Sequence, residues 1–123
     1  MRAEIENIVE EIRKSLDLLR QRMDWDTAAH RMEEFDAMSE DPKLWDNPEK
    51  AQKLMRERQM LADAIAGFNE LSQGLQDNID MIELGEMEED QEVIDDAEQS
   101  IQKIQKEAAK QELEALLNGE ADG

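Results

Sequence analysis

Cysteine is absent from the 123 residues, which excludes a disulfide scaffold, a thiolate metal centre and a cysteine nucleophile. Its absence fits a reducing compartment. Tyrosine is also missing, and only two Phe, two Trp, two Pro and five Gly occur. That scarcity argues against strands, tight turns and base-stacking platforms, and for helices. No run of about 18 apolar residues is present, and Met1-Arg2-Ala3-Glu4 lacks the apolar stretch of a secretion signal. Membrane-spanning and secreted classes are set aside, and a cytoplasmic protein is expected. Positive charge is short as well: 14 Lys and Arg face 33 Asp and Glu, for a net −19. A broad phosphate-binding surface is disfavoured, because Lys and Arg supply most nucleic-acid affinity.

What the chain does contain is helical periodicity, in a length that suits one domain. Ile5, Val9, Ile12, Leu16, Leu19 and Met23 alternate steps of four and three, drawing one stripe that Ile8 widens. The spacing predicts a helix over 3–22. Asp24-Trp25-Asp26-Thr27 offers capping side chains and no breaker. A second helix over 26–39, with Trp25, Ala28, Met32 and Phe35 facing inward, or one kinked helix running through, both fit. Ser39-Glu40-Asp41-Pro42 stops it, since the residue before proline avoids helical angles. In the connector, Leu44 and Trp45 are expected to tuck under as apolar plugs, Trp45 being worth a few kcal/mol to stability.

Asn47 as N-cap, Pro48 at the first helical position and Glu49 at the positive dipole end mark the clearest helix start. Leu54, Leu61, Phe68, Leu75 and Ile82 then recur every seven residues. Ala51, Ile65 and Ile79 form a companion seam that Arg58 and Ser72 interrupt. A helix over 48–84 follows, a rod of about 55 Å. Gly67 and Gly74 within it mark a bend or a close helix contact, and Gly85 is expected to end it as a left-handed cap. A last helix over 90–117 presents Ile94, Ala97, Ile101, Ile104 and Ala108, with Leu113, Leu116 and Leu117 continuing the face after a phase shift. Asn118-Gly119 is expected to close it. The short connection makes the last two helices antiparallel. The predicted fold is all-α: an antiparallel bundle built on a long helical hairpin, with the first two helices laid along it. A helical domain over 1–119 is expected, with 120–123 as the start of a linker.

Chemistry is hard to find. His30 has no cysteine and no Glu-x-x-His companion, and reads as an ordinary helix residue. Asp24-x-Asp26 opens like a calcium loop, but Ala28 and Ala29 stand where a ligand and a glycine belong, so a helix cap is preferred. Serines 15, 39, 72 and 100 have no base beside them in any motif. No catalytic residue, metal site, cofactor or small-molecule substrate is expected. Lys50, Lys53, Arg56 and Arg58 form a locally basic face, read first as charge pairing with nearby carboxylates and second as a small RNA-phosphate contact. The eight methionines are read as core filler rather than an adaptable groove. Nine acidic residues and no basic one lie between Glu83 and Glu98.

The stretch Asp41-Pro42-Lys43-Leu44-Trp45-Asp46-Asn47-Pro48-Glu49-Lys50-Ala51-Gln52, continuing to Arg58, resembles the N-terminal region of the bacterial peptide chain release factor 2 family. Leu19 to Asp26, Met81 to Glu86 and Glu112 to Glu120 agree in order and spacing, so the resemblance covers nearly the whole chain. It implies a helical arm held at the ribosomal stalk base, by its proteins and nearby rRNA, and linked to recycling by the GTPase release factor. In that family a Ser-Pro-Phe tripeptide reads the stop codon and a Gly-Gly-Gln loop promotes peptidyl-tRNA hydrolysis. Neither tripeptide occurs in this sequence, which implies an excised first domain that is not itself an enzyme. Glu83, Glu86, Glu88, Glu89 and Asp90, at the hairpin's acidic turn, are the candidate contact with a basic ribosomal protein. The alternative reading is a free-standing acidic coiled-coil adaptor or chaperone for basic partners.

Overall fold

The computed structural model describes residues 1–121, and side chains through Leu117. Four α-helices follow in order: α1 (Ala3–Met23), α2 (Trp25–Ser39), α3 (Pro48–Glu88) and α4 (Gln91–Ala121), with a 3₁₀ turn at Leu44–Asp46. No strand occurs among the described residues, and the all-α expectation holds. The chain divides into two compact units, one of Met1–Leu19 with Phe68–Gly123, the other of Arg20–Gly67.

The first unit is an antiparallel three-helix bundle. Arg2 pairs with Glu98 and Glu11 with Gln105, so α1 runs parallel to α4. Gly74 lies against Ile104 and Gly85 against Ile94, so α3 and α4 form the expected antiparallel hairpin. Ile5, Val9, Ile12, Leu16 and Leu19 of α1 are buried, as are Phe68, Leu71, Leu75, Ile79 and Ile82 of α3 and Ala97, Ile101 and Ala108 of α4. The heptad positions are inward as predicted. Leu71, rather than Ser72, fills the gap in the companion seam, because a straight helix of 3.6 residues per turn drifts against a strict seven-residue repeat.

The second unit has a thinner core of Met23, Ala28, Ala51, Leu54 and Leu61, with Trp25, Met32, Phe35 and Leu44 half-buried around it. The junction between α1 and α2 is a true break: Asp24 takes left-handed angles, φ 53° and ψ 63°. Aspartate tolerates that region better than most residues. The Thr27 hydroxyl donates to the Asp24 carboxylate at 2.8 Å, and the Thr27 amide to the Asp24 carbonyl at 3.0 Å. Asn47 caps α3 as expected, its Oδ1 accepting from the Lys50 amide at 3.3 Å.

Four expectations are corrected. Gly85 does not end α3: the helix continues to Glu88, and the left-handed residue is Glu89, φ 56°. The Asp90 amide donates to the Gly85 carbonyl at 2.8 Å and the Glu89 amide to the Glu86 carbonyl at 3.3 Å, the paired bonds of a Schellman cap. The role of Gly85 is close approach, since Ile94 packs directly over it. At the other end, α4 runs on through Asn118 and Gly119 to Ala121; one helical glycine costs about 1 kcal/mol and does not stop a continuing ladder. Of the expected 120–123 linker, 122–123 lie outside the described residues. The inward face of α4 also keeps its phase, passing from Ala108 through half-buried Gln111, Glu112 and Ala115. Leu113, Leu116 and Leu117 are left exposed.

The fourth correction concerns Trp45. The residue is 55% exposed rather than plugged beneath the connector. The indole Nε1 donates to the Ser39 carbonyl at 2.8 Å, which anchors the ring's polar edge and leaves a face open. Leu44 is half-buried. Trp45→Ala is therefore expected to cost about 1 kcal/mol instead of several, read from urea unfolding midpoints. A loss above about 3 kcal/mol would show that the ring carries core packing after all.

Candidate functional site

The acidic turn is built by the end of α3 and the start of α4. The Schellman cap reverses the chain at Glu89, and the Asp90 Oδ1 then accepts from the Val93 amide at 3.3 Å, capping α4. Glu83, Glu86, Glu88, Glu89 and Asp90 are all exposed, and the fold brings them to one end of the first unit. They are not equivalent. Glu86 accepts from the Met1 ammonium at 2.7 Å, and this bond raises the amine above its ordinary pKa. Asp90 is occupied as a cap. The side chains of Glu83, Glu88 and Glu89 make no bond among the described residues and remain free to meet a partner.

Three apolar residues accompany these carboxylates. Met81, Leu84 and Met87 are exposed on the same last turns of α3, Met87 by 82%. They were absent from the sequence-derived site. Their signal was legible, because all three fall outside the heptad seam that ends at Ile82. Exposed apolar groups are thus interleaved with the carboxylates of the turn.

Behind the turn, Glu98 is the one buried charged residue among those described, 7% exposed. Both of its oxygens are engaged by Arg2: Nε to Oε2 at 3.0 Å and Nη2 to Oε1 at 2.9 Å. This bidentate pair satisfies a carboxylate that would otherwise be costly to bury. Its hydrogen bond, followed by its charge, pushes the Arg2 guanidinium further above its ordinary pKa.

Elsewhere the structure separates the sequence candidates. His30 is exposed, with Nε2 2.9 Å from the Glu34 carboxylate one helical turn on. Among the described residues no group of three or more His, Cys, Asp or Glu is placed to hold a metal ion. The basic face is not the network of charge pairs expected. Arg58 meets Asp36 at 2.6 Å, whereas Lys50, Lys53 and Arg56 have no carboxylate partner among the described residues. Nor are the methionines core filler: Met23 is buried and Met32 half-buried, while Met1, Met38, Met55, Met60, Met81 and Met87 are exposed. Charge is divided unevenly too. The first unit holds 22 acidic and 6 basic side chains, the second 11 and 8. No described helix is long and apolar enough to cross a membrane.

The site is the exposed acidic turn of an all-α helical hairpin. The model of the PCRF domain matches residues 28–123, and the chain belongs to that domain family. It is 59% identical over 122 residues to the peptide chain release factor 2 of Roseobacter denitrificans and, equally, to that of Ruegeria sp.. It is 51% identical over the same length to the peptide chain release factor 2 of Paramagnetospirillum magneticum. Each alignment covers 99% of this chain and 33% of the relative. The chain thus spans about a third of the length of the curated relatives it matches.

Proposed function

We propose that this chain is the non-catalytic N-terminal domain of a translation release factor, which helps position the factor on the ribosome during termination at UGA and UAA. The similarity to release factor 2 proteins over 99% of the chain carries this reading. Stop-codon reading and peptidyl-tRNA hydrolysis belong to other parts of such a factor. The acidic turn is the contact, with Glu83, Glu88 and Glu89 free to meet a basic protein of the stalk base. Bare rRNA would be repelled by the 22 carboxylates of the first unit. The work is cytoplasmic and linked to the GTPase release factor. The free carboxylates beside Met81, Leu84 and Met87 support a docking role.

Grafting this chain in place of the matching segment of the Roseobacter denitrificans factor tests the reading. The chimera is expected to release peptide from ribosomes programmed with UGA or UAA but not UAG, and the isolated chain to release none. Reversing Glu83, Glu88 and Glu89 to Lys in the chimera is expected to lower kcat/KM about tenfold, chiefly through association, with kcat unchanged. A chimera that binds ribosomes but releases nothing would overturn the family role. Release unaffected by the reversals would overturn the contact alone.

A further inference from the structure

The last three turns of α3 carry a face that no other described element buries. Asp77, Asp80, Met81, Leu84, Met87 and Glu88 are all exposed. Their spacings of three and four keep them on one side of the helix. That side lies opposite the buried seam of Leu75, Ile79 and Ile82. Met81, Leu84 and Met87 form an apolar strip along it, 41, 42 and 82% exposed. Asp77 and Asp80 precede the strip and Glu88 ends it. Unbranched thioethers adapt to many partner shapes, which suits methionine to docking surfaces.

Charge decides what fits there. Between Arg58 and Lys103 lie thirteen Asp and Glu and no Lys, Arg or His. The cations paired at this end of the first unit are already engaged, the Met1 ammonium by Glu86 and Arg2 by Glu98 and Glu4. The starts of the neighbouring helices add carboxylates as well, Glu4 and Glu6 in α1 and Glu92 in α4. Asp77 and Asp80 each accept one bond from a neutral amide, Gln73 at 2.8 Å and Gln76 at 2.9 Å, so their charge stays uncompensated. The last turn of α3 holds no basic residue, and Glu88 faces the negative end of the helix dipole. A carboxylate so placed disfavours the helix end, and a cationic partner relieves it.

We propose that this face of α3 docks a basic amphipathic helix of a partner protein. Its apolar residues pack along Met81, Leu84 and Met87, while its Lys and Arg meet Asp77, Asp80 and Glu88. The inference rests on the acidic turn being a contact and names the kind of segment that reaches it. It extends that contact back along α3 to Asp77 and makes the apolar strip its specific part. Helix-on-helix docking reads anchors at i, i+3, i+4 and i+7, the spacing α3 presents. An extended basic tail would use the carboxylates and leave the strip uncovered.

Calorimetric titration of the whole chain with three peptides tests this. The first is an Ala-Lys peptide carrying Leu at i, i+4, i+7 and i+11. The second has the same composition with its leucines spread evenly around the helix, and the third has Glu for every Lys. The first is expected to bind, and the other two to bind at least tenfold more weakly. Met81→Gln/Leu84→Gln is expected to weaken the first peptide about tenfold and Asp77→Asn/Asp80→Asn about fivefold, with circular dichroism unchanged. Leu113→Gln/Leu117→Gln, exposed on the other helix of the hairpin, is expected to leave the affinity as it was. Equal binding by the second peptide would reduce the contact to charge attraction and overturn the proposal. Affinity untouched by Met81→Gln/Leu84→Gln, or lowered as much by the α4 pair, would overturn it too. A peptide that fails to bind, while the Glu83, Glu88 and Glu89 reversals still slow the chimera, sinks this inference alone. A peptide that docks, beside a chimera indifferent to those reversals, sinks only the ribosomal contact.

Discussion

Ile101→Ala is expected to destabilise the chain by about 3–4 kcal/mol, the upper range for deleting a branched side chain from a tight core. Ile101 is 0% exposed, in the middle of α4's inward face. α1 and α3 pack their own buried stripes into the same unit, so three helices share the void the substitution leaves. Domains of this size commonly hold about 5–15 kcal/mol in all. A loss of that order therefore leaves little margin. Urea unfolding followed by far-ultraviolet circular dichroism gives the measurement. Leu117→Ala is the natural control, because that side chain is 55% exposed and is expected to change stability by no more than about 0.5 kcal/mol. Equal losses for the two would mean that burial does not distinguish them and that the bundle is packed otherwise.

Gly85→Ala should have the second largest effect, about 2–3 kcal/mol, although alanine is the better helix former by about 1 kcal/mol. A Cβ at this position would stand 2.7 Å from Ile94 Cγ1, 3.2 Å from the Asp90 carbonyl oxygen and 3.3 Å from the Ile94 amide nitrogen. A side chain can change rotamer, but the last two atoms are backbone of the Schellman turn and the first turn of α4. The hairpin would have to open at its tip, disturbing the Asp90 cap. Gly74 supplies the contrast. There a Cβ meets only the Ile104 side chain, at 3.3 Å to its terminal carbon, and that end can shift. Gly74→Ala is expected to be near neutral, the gain in helix propensity offsetting the small repacking. Thermal midpoints of the two variants decide the matter, and a Gly85→Ala midpoint at or above wild type would show the turn to be loose.

Particular residues show where sequence reasoning succeeds on this chain. The start of α3 was legible because Asn47, Pro48 and Glu49 each act through local backbone chemistry that needs no distant partner. The buried stripes of α1 and α3 were legible for a related reason, since helical geometry alone carries residues three and four apart to one face. The acidic turn was legible as a run of carboxylates without counter-charges. What remained hidden there is which carboxylates are free. Glu86 is occupied by an amine 85 positions away, and Glu98 is tolerated in the core by Arg2, 96 positions away. Neither distance leaves a trace in local pattern.

The misread residues share that physics. Gly85 looked like a cap because glycine favours left-handed angles, but Ile94 lies over it and the reversal waits four residues. Trp45 looked like a plug because indoles are usually covered, yet whether a ring is covered depends on what lies opposite. The three leucines near the end of α4 look like core and lie outside it, because the inward face follows the bundle's geometry rather than the densest apolar spacing. By itself, then, the order of residues determined the helices, most of their starts and stops, the buried seams and the acidity of the turn, because these follow from interactions among near neighbours. Only the tertiary structure decided which charges are spent on one another, which glycine a neighbour requires and which apolar side chains stay exposed, because each depends on groups that meet across the fold.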